Sequence, residues 1–304
     1  MILVLRALGV GDLAASVPAL RAIRAAFPGR TLALAAPTWL TPLIELVGGV
    51  DRVVATDGLT PGQWDIDAPE IAVNLHGCGP QSHLLLQSAE PAKLWAFANL
   101  DAGHLDGPTW AEEEHEVHRW CRLLRWYGVE ADESDLSLTI PSVDVVRKVT
   151  IVHPGAKSPS RRWPHYATVA RRLCSAGHDV VVTGTEANLA AEVAAAAGVR
   201  AVDTGLAELA GLVAHARLVV SGDTGIAHLA TAYRTPSVVL FGPVPPRRWG
   251  PPADRPYHRA IWHGTRAERG DAPGPEVHPA LLKITPGEVL AEAEKAVRHA
   301  PASQ

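Results

Sequence analysis

The chain has 304 residues, 47% hydrophobic and 20% charged, with a formal net charge of −4. That balance excludes a disordered chain, and no apolar run reaches the ~20 residues of a membrane-crossing helix. Three scattered cysteines, Cys78, Cys121 and Cys174, exclude a disulfide framework and a cysteine-built zinc site.

Residues 1–8 form an apolar run ending in Gly9-Val10-Gly11-Asp12, which predicts a buried strand, a tight turn and a helix start. A helix follows over 14–27, where Pro18 is tolerated only near a helix start or at a kink. Next come a strand at 31–36, a helix at 39–47, a strand at 52–55, and a strand at 70–75 ending in His76-Gly77-Cys78-Gly79. Residues 110–127 read as a long helix, with Trp110, Val117, Trp120, Cys121 and Leu124 at helical spacing. Residues 140–148, with Pro141, read as a linker. The second half predicts strands at 149–153, 179–183, 200–203, 218–221 and 237–241. Helices at 166–176, 189–197, 206–214 and 226–232 alternate with them; a proline-rich loop at 242–252 and an amphipathic helix at 286–299 close the chain. The alternation predicts α/β architecture with two doubly wound parallel-sheet domains, 1–146 and 147–304.

Charge divides along the same line. Residues 1–148 carry 11 Lys+Arg against 19 Asp+Glu, net −8; residues 149–304 carry 17 against 13, net +4. The basic half suits an anionic ligand such as a nucleotide, but neither half has the basic patch of a nucleic-acid binder. The N-terminus MILVLRALGVGD lacks an export signal, so a cytoplasmic location is expected.

Ligands of doubly wound sheets bind beyond the carboxyl ends of strands, so the loops there hold the candidate residues. Gly9-Val10-Gly11-Asp12 is not the dinucleotide fingerprint, because Ala14 stands at the third glycine position. Asp12 sits where a helix N-cap would sit; it either caps the helix or serves as a general base. After the strand at 149–153, Lys157, Arg161 and Arg162 precede Trp163-Pro164. Loop cations beside a helix N-terminus suit a diphosphate, and the plainer alternative is a basic surface loop over Trp163. In Ser221-Gly222-Asp223-Thr224-Gly225-Ile226-Ala227-His228, small residues let backbone N–H groups approach a phosphate. His228 falls on the first helical turn, as a ligand contact or a structural residue.

Taken in order, these motifs resemble glycosyltransferase family 9, the heptosyltransferase group. The resemblance runs through Gly11-Asp12-Leu13, Val73-Asn74-Leu75-His76-Gly77, His153-Pro154-Gly155, Arg161-Arg162-Trp163-Pro164, Asp223-Thr224-Gly225 with His228, and Phe241-Gly242-Pro243. It implies the GT-B fold, two Rossmann-like domains facing a central cleft, and inverting, metal-independent transfer of a sugar from a nucleotide-diphosphate donor, ADP-heptose above all, to an acceptor hydroxyl. By position, the family's base falls on Asp12 and its donor-phosphate lysine on Arg161, with Lys157 nearby. The rest of the donor site falls on Asp223, Thr224, Gly225 and His228, with Glu186 or Asn188 at the ribose and Thr204, Gly205 and Leu206 at the base. Gly11, His76 and Gln81 fall on the acceptor side. The terminal helix would cross back to the first domain as in GT-B relatives. No cofactor, metal or nucleic-acid partner is implied, and peripheral contact with a membrane surface is compatible with the sequence.

Two departures stand out. The 76–82 loop carries no Lys or Arg, where heptosyltransferases acting on lipopolysaccharide often offer cations to an acidic acceptor, and the segment before Ile284 lacks cysteines that some relatives have. A neutral or amino-sugar acceptor therefore suits this chain better than an anionic one. The alternatives are a lipopolysaccharide or cell-envelope heptosyltransferase, a nucleotide-sugar epimerase, which would need no acceptor, and a non-catalytic nucleotide-sugar-binding protein, which would release no nucleotide.

Overall fold

A computed structural model describes residues 1–60, 64–265 and 274–301. The chain divides into two units, Met1–Thr139 and Ile140–Gln304, seven residues before the boundary expected from sequence.

In the first unit β1 (Ile2–Leu5) leads into two short helices, α1 (Val10–Ala15) and α2 (Val17–Ala26). Then come β2 (Leu32–Ala36), α3 (Thr41–Val47), β3 (Arg52–Ala55), β4 (Ile71–Asn74), α4 (Gln81–Gln87), β5 (Lys93–Trp95) and α5 (Glu116–Trp126). The strands form one parallel sheet in the order β3-β2-β1-β4-β5. Every residue of β1, β2 and β4 is buried, as expected of strands covered on both faces. Leu3, Leu5, Ala33, Ala35, Val54 and Leu86 share one core cluster.

The single helix expected over 14–27 is two. The chain breaks at Ser16, and Pro18 sits in the first turn of α2, where its missing N–H has no partner to lose. The 110–127 helix starts only at Glu116, capped by His115, whose ring accepts from the Val117 N–H. Trp110 lies before it and packs edge-on against Phe97, 5.0 Å between ring centres. Helical spacing had placed Trp110 on the helix because its target, the Phe97–Trp120 pair, is the one the helix face also covers.

The second unit runs β6 (Thr150–His153), α6 (Tyr166–Ser175), β7 (Val180–Val182), α7 (Ala187–Ala197), β8 (Arg200–Ala201), α8 (Leu206–Ala214), β9 (Leu218–Gly222) and α9 (Gly225–Ala232). It continues with β10 (Ser237–Phe241), α10 (Pro246–Trp249), β11 (His258–Trp262), α11 (Pro279–Leu282) and α12 (Pro286–Arg298). Its sheet is also parallel, in the order β11-β10-β9-β6-β7-β8. Val152, Tyr166, Val169, Val220, Leu240 and Val289 belong to its core. Val289, Ala293 and Ala296 bury the apolar face of α12 on this unit's own core, against α6 and the β9–β11 strands. Among the described residues no helix is long and apolar enough to cross a membrane.

Candidate active site

Both sheets reverse strand order at one point, and such switch points open a crevice between loops that diverge to opposite faces. In the first unit the switch lies between β1 and β4, so the loops after Leu5 and Asn74 flank it. In the second it lies between β6 and β9, so the loops after His153 and Gly222 flank it.

At the first switch the N-cap of α1 is Gly9, not Asp12 as the sequence suggested. Asp12 is the third residue of the helix, and its Oδ2 accepts the Gly9 N–H at 3.1 Å, closing the turn. Its Oδ1 lies 3.3 Å from Arg6 Nη2, and the carboxylate side chain is 28% exposed. Gly11 lies in the same turn, half-buried. Across the switch, His76 is half-buried and its Nδ1 has no hydrogen-bond partner among the described residues. Burial and then the Arg6 charge push its pKa down to about 4, with Asp12 pulling weakly the other way, so the ring is neutral at pH 7. A buried polar atom without a partner is costly, and a substrate hydroxyl is one way to satisfy it. Gln81 is exposed at the start of α4. Behind the loop, Asn74 donates to Ser82 Oγ at 2.9 Å and packs its amide 3.1 Å from His83 Nδ1, which fixes the 76–82 segment.

Behind Asp12 lies a cluster that reading the sequence missed. Arg6, wholly buried, also pairs with Glu116 Oε1 at 3.0 Å and donates to the Leu75 carbonyl. Arg119 pairs with the other Glu116 oxygen, and the Trp120 indole N–H donates to Glu116 Oε1 at 3.0 Å. The one signal in the sequence was an arginine inside an otherwise apolar strand run, because a charge buried there demands a partner.

At the second switch Arg161 and Asp223 meet. Arg161 Nη2 donates to Asp223 Oδ2 at 2.8 Å and to the Asp223 carbonyl at 2.6 Å, which lays the guanidinium beside the start of α9. Thr224 is the N-cap of that helix from extended backbone and Gly225 opens it; the Ala227 N–H turns back to the Thr224 carbonyl at 3.0 Å, and the positive end of the helix dipole lies at Gly225. His228 is one turn in, with its ring edge-on to Trp249 at 5.7 Å. Glu186, the N-cap of α7, pairs with Arg162 at 2.5 Å, tying the loop after β7 to the loop after β6. Gly205 caps α8 and donates to Glu208 Oε2 at 2.9 Å, with Thr204 and Leu206 on either side. Because β9, β6, β7 and β8 are parallel neighbours, all these loops leave the same sheet edge. Lys157 and Asn188 also stand on this edge but are exposed and make none of these contacts. Among the described residues no three His, Cys, Asp or Glu side chains gather as a metal site.

Comparison with known proteins bears on both halves. The family model described as "Glycosyltransferase family 9 (heptosyltransferase)" matches residues 110–269. Lipopolysaccharide heptosyltransferase 2 of Salmonella typhimurium is 26% identical, covering 96% of this chain and 97% of its own. Among solved structures, the E. coli ADP-heptose lipopolysaccharide heptosyltransferase II superposes with a TM-score of 0.75 at 22% identity, covering 98% of each chain. An E. coli heptosyltransferase solved with ADP gives 0.71 at 17% identity, over 97% of this chain and 99% of that one. The fold is that of these GT-B proteins.

Proposed function

The chain belongs to glycosyltransferase family 9, and on that premise we propose that it transfers a heptosyl residue from ADP-heptose to an acceptor hydroxyl with inversion, in the cytoplasm. The observation that carries this reading is the pairing of chemistry with topology. One switch point presents a lone part-exposed carboxylate, Asp12, beside a neutral imidazole; the other presents a guanidinium at a helix N-terminus.

The donor diphosphate lies over Thr224 and Gly225, with Arg161 balancing its charge, Lys157 and His228 at its margin, Glu186 or Asn188 at the ribose and 204–206 at the adenine. Asp223 holds Arg161 in place while sharing its charge. The acceptor hydroxyl binds beside Asp12, with Gly11, His76 and Gln81 around it. Asp12 takes the hydroxyl proton as the oxygen bonds to the anomeric carbon, and the bond from that carbon to the diphosphate breaks, its electron pair leaving with ADP. The leaving charge meets preorganised N–H groups and cations, an arrangement that needs no metal.

The acceptor side carries no cation in the 76–82 loop, which favours a neutral or amino-sugar acceptor. A lipopolysaccharide acceptor is the second reading, favoured by the likeness to lipopolysaccharide heptosyltransferase 2 over nearly the whole chain. Release of ADP from ADP-heptose with methyl glucoside, methyl glucosaminide or a phosphorylated heptose acceptor separates them. Turnover on either of the first two is expected; turnover on the phosphorylated acceptor alone gives the second reading. Asp12→Asn should cut turnover about 10²–10⁴-fold and leave the affinity for ADP within about twofold. Near-normal turnover in that variant would reduce Asp12 to a helix cap.

A further inference from the structure

Capping does not account for what stands behind Asp12. Glu208 does the same for α8, accepting the Gly205 N–H at 2.9 Å, and among the described residues the buried arginines, Arg6 and Arg119, both belong to the other unit. Asp12 has Arg6, whose Nε donates to the Asp12 carbonyl at 3.0 Å and whose Nη2 lies 3.3 Å from the Asp12 carboxylate and 3.0 Å from Glu116. The Trp120 ring covers the guanidinium, its centre 4.8 Å from the Arg6 Cζ. Glu116 is held in turn by Arg119 and Trp120, and Arg119 lies over the Trp110 ring at 4.1 Å. A guanidinium with both a carboxylate and a carbonyl of one residue in reach, wedged under an indole, has little freedom to turn. Its buried charge is expensive to keep, and a helix cap gains little from it.

We propose that Arg6 and Glu116 are positioning residues for the transfer, which together set the orientation of the Asp12 carboxylate and the charge it faces. This rests on the reading of Asp12 as the base. Charged and titratable groups around the pair among the described residues include His76 from the loop after β4, and Glu114, Glu116 and Arg119 from α5 and the turn before it. His76 is neutral at working pH, and Glu114 is held by Arg122 at 2.6 Å and touches the cluster through Arg119, at 3.9 Å. Glu116 stays ionised: burial pushes its pKa up, but Arg6 and Arg119 outweigh that and hold it below the ordinary value. Arg6 thus sets a positive charge against the Asp12 carboxylate, and Glu116 shares that charge from the other side.

The two residues therefore act with opposite sign, and the pH dependence of kcat reads the sign. ADP release from ADP-heptose is followed from pH 4.5 to 8.5 with the fastest of the three acceptors named above. In Arg6→Gln the carboxylate loses its cation, and the acid limb should move up by about 1 pH unit. In Glu116→Gln the side chain keeps an acceptor for Arg6 and Trp120 but loses its charge. The acid limb should then move down, and the plateau should fall about tenfold as the base weakens. Both should leave the donor KM within about twofold. A merely structural role would lower the melting temperature and leave the limb of the folded enzyme in place, which overturns the proposal; so would limbs that move the same way. If Arg6→Gln does not fold, the sign in Glu116→Gln decides alone. Asp12→Asn separates the two layers. If it retains turnover, the base reading fails and the positioning roles fall with it; if it loses turnover while neither limb moves, only the positioning roles fail.

Discussion

Two histidines sit in the core of the second unit as neutral rings. His153 ends β6 with its Nδ1 2.9 Å from Thr183 Oγ1, and burial pushes its pKa down to about 4. His258 pairs with Ser237 Oγ at 2.8 Å, and burial, then Arg255, push its pKa down to about 3. Both fold as neutral rings, whereas in the unfolded chain they take up a proton near the ordinary value of 6.5. Their contribution to stability is therefore complete above pH 6.5 and is lost as pH falls towards the folded values. Between pH 7.5 and 5 His153 alone should cost roughly 2 kcal/mol. Melting temperatures across that range should fall for the parent and fall less for His153→Gln; parallel curves would show that the ring is not the source. The same scale explains why Arg6 was missed. Its partner Glu116 lies 110 positions away, and no local pattern announces a contact at that separation.

Elements were legible where periodicity is long and terminators are strong. Helix α7 is stopped by Gly198 in the left-handed region, and α12 is opened by Thr285, whose Oγ1 accepts the Glu288 N–H at 3.2 Å. The elements not foreseen are α4, β5, α10, β11 and α11; α10, four residues within the stretch read as a proline-rich loop, and α11, also four, are too short for helical periodicity to show. Strand β5 has three residues, and α4 has no side-chain cap. The stretch read as a linker is partly a packed strap. A Cβ on Gly211 of α8 would stand 2.4 Å from Val143 Cγ2 and 3.5 Å from Pro141 Cγ, so residues 141–143 lie on that helix. Gly211→Ala should force the strap off α8 and cost about 1–3 kcal/mol, despite alanine's better helix propensity. Denaturant unfolding checks this, and a stabilised variant would mean that the strap yields without cost.

Across the whole molecule the two units differ in charge. Met1–Thr139 carries 9 Lys+Arg against 18 Asp+Glu, and Ile140–Gln304 carries 19 against 14. A dianionic donor should be drawn to the second unit, and the attraction should weaken as salt shortens the Debye length from about 14 Å at 50 mM to about 6 Å at 300 mM. The donor KM should rise several-fold over that range while the KM for methyl glucoside stays flat; a donor KM indifferent to salt would remove long-range charge from donor capture. Each unit also carries an acid that closes the first turn of a helix, Asp12 on Gly9 and Glu208 on Gly205. A carboxylate with that duty is worth keeping after chemistry is gone. Descendants of this chain that lose turnover should retain it, so an aspartate at position 12 in a genome does not certify a working enzyme. The telling mark of decay would be the erosion of Arg6 and Glu116, which the turn itself does not require.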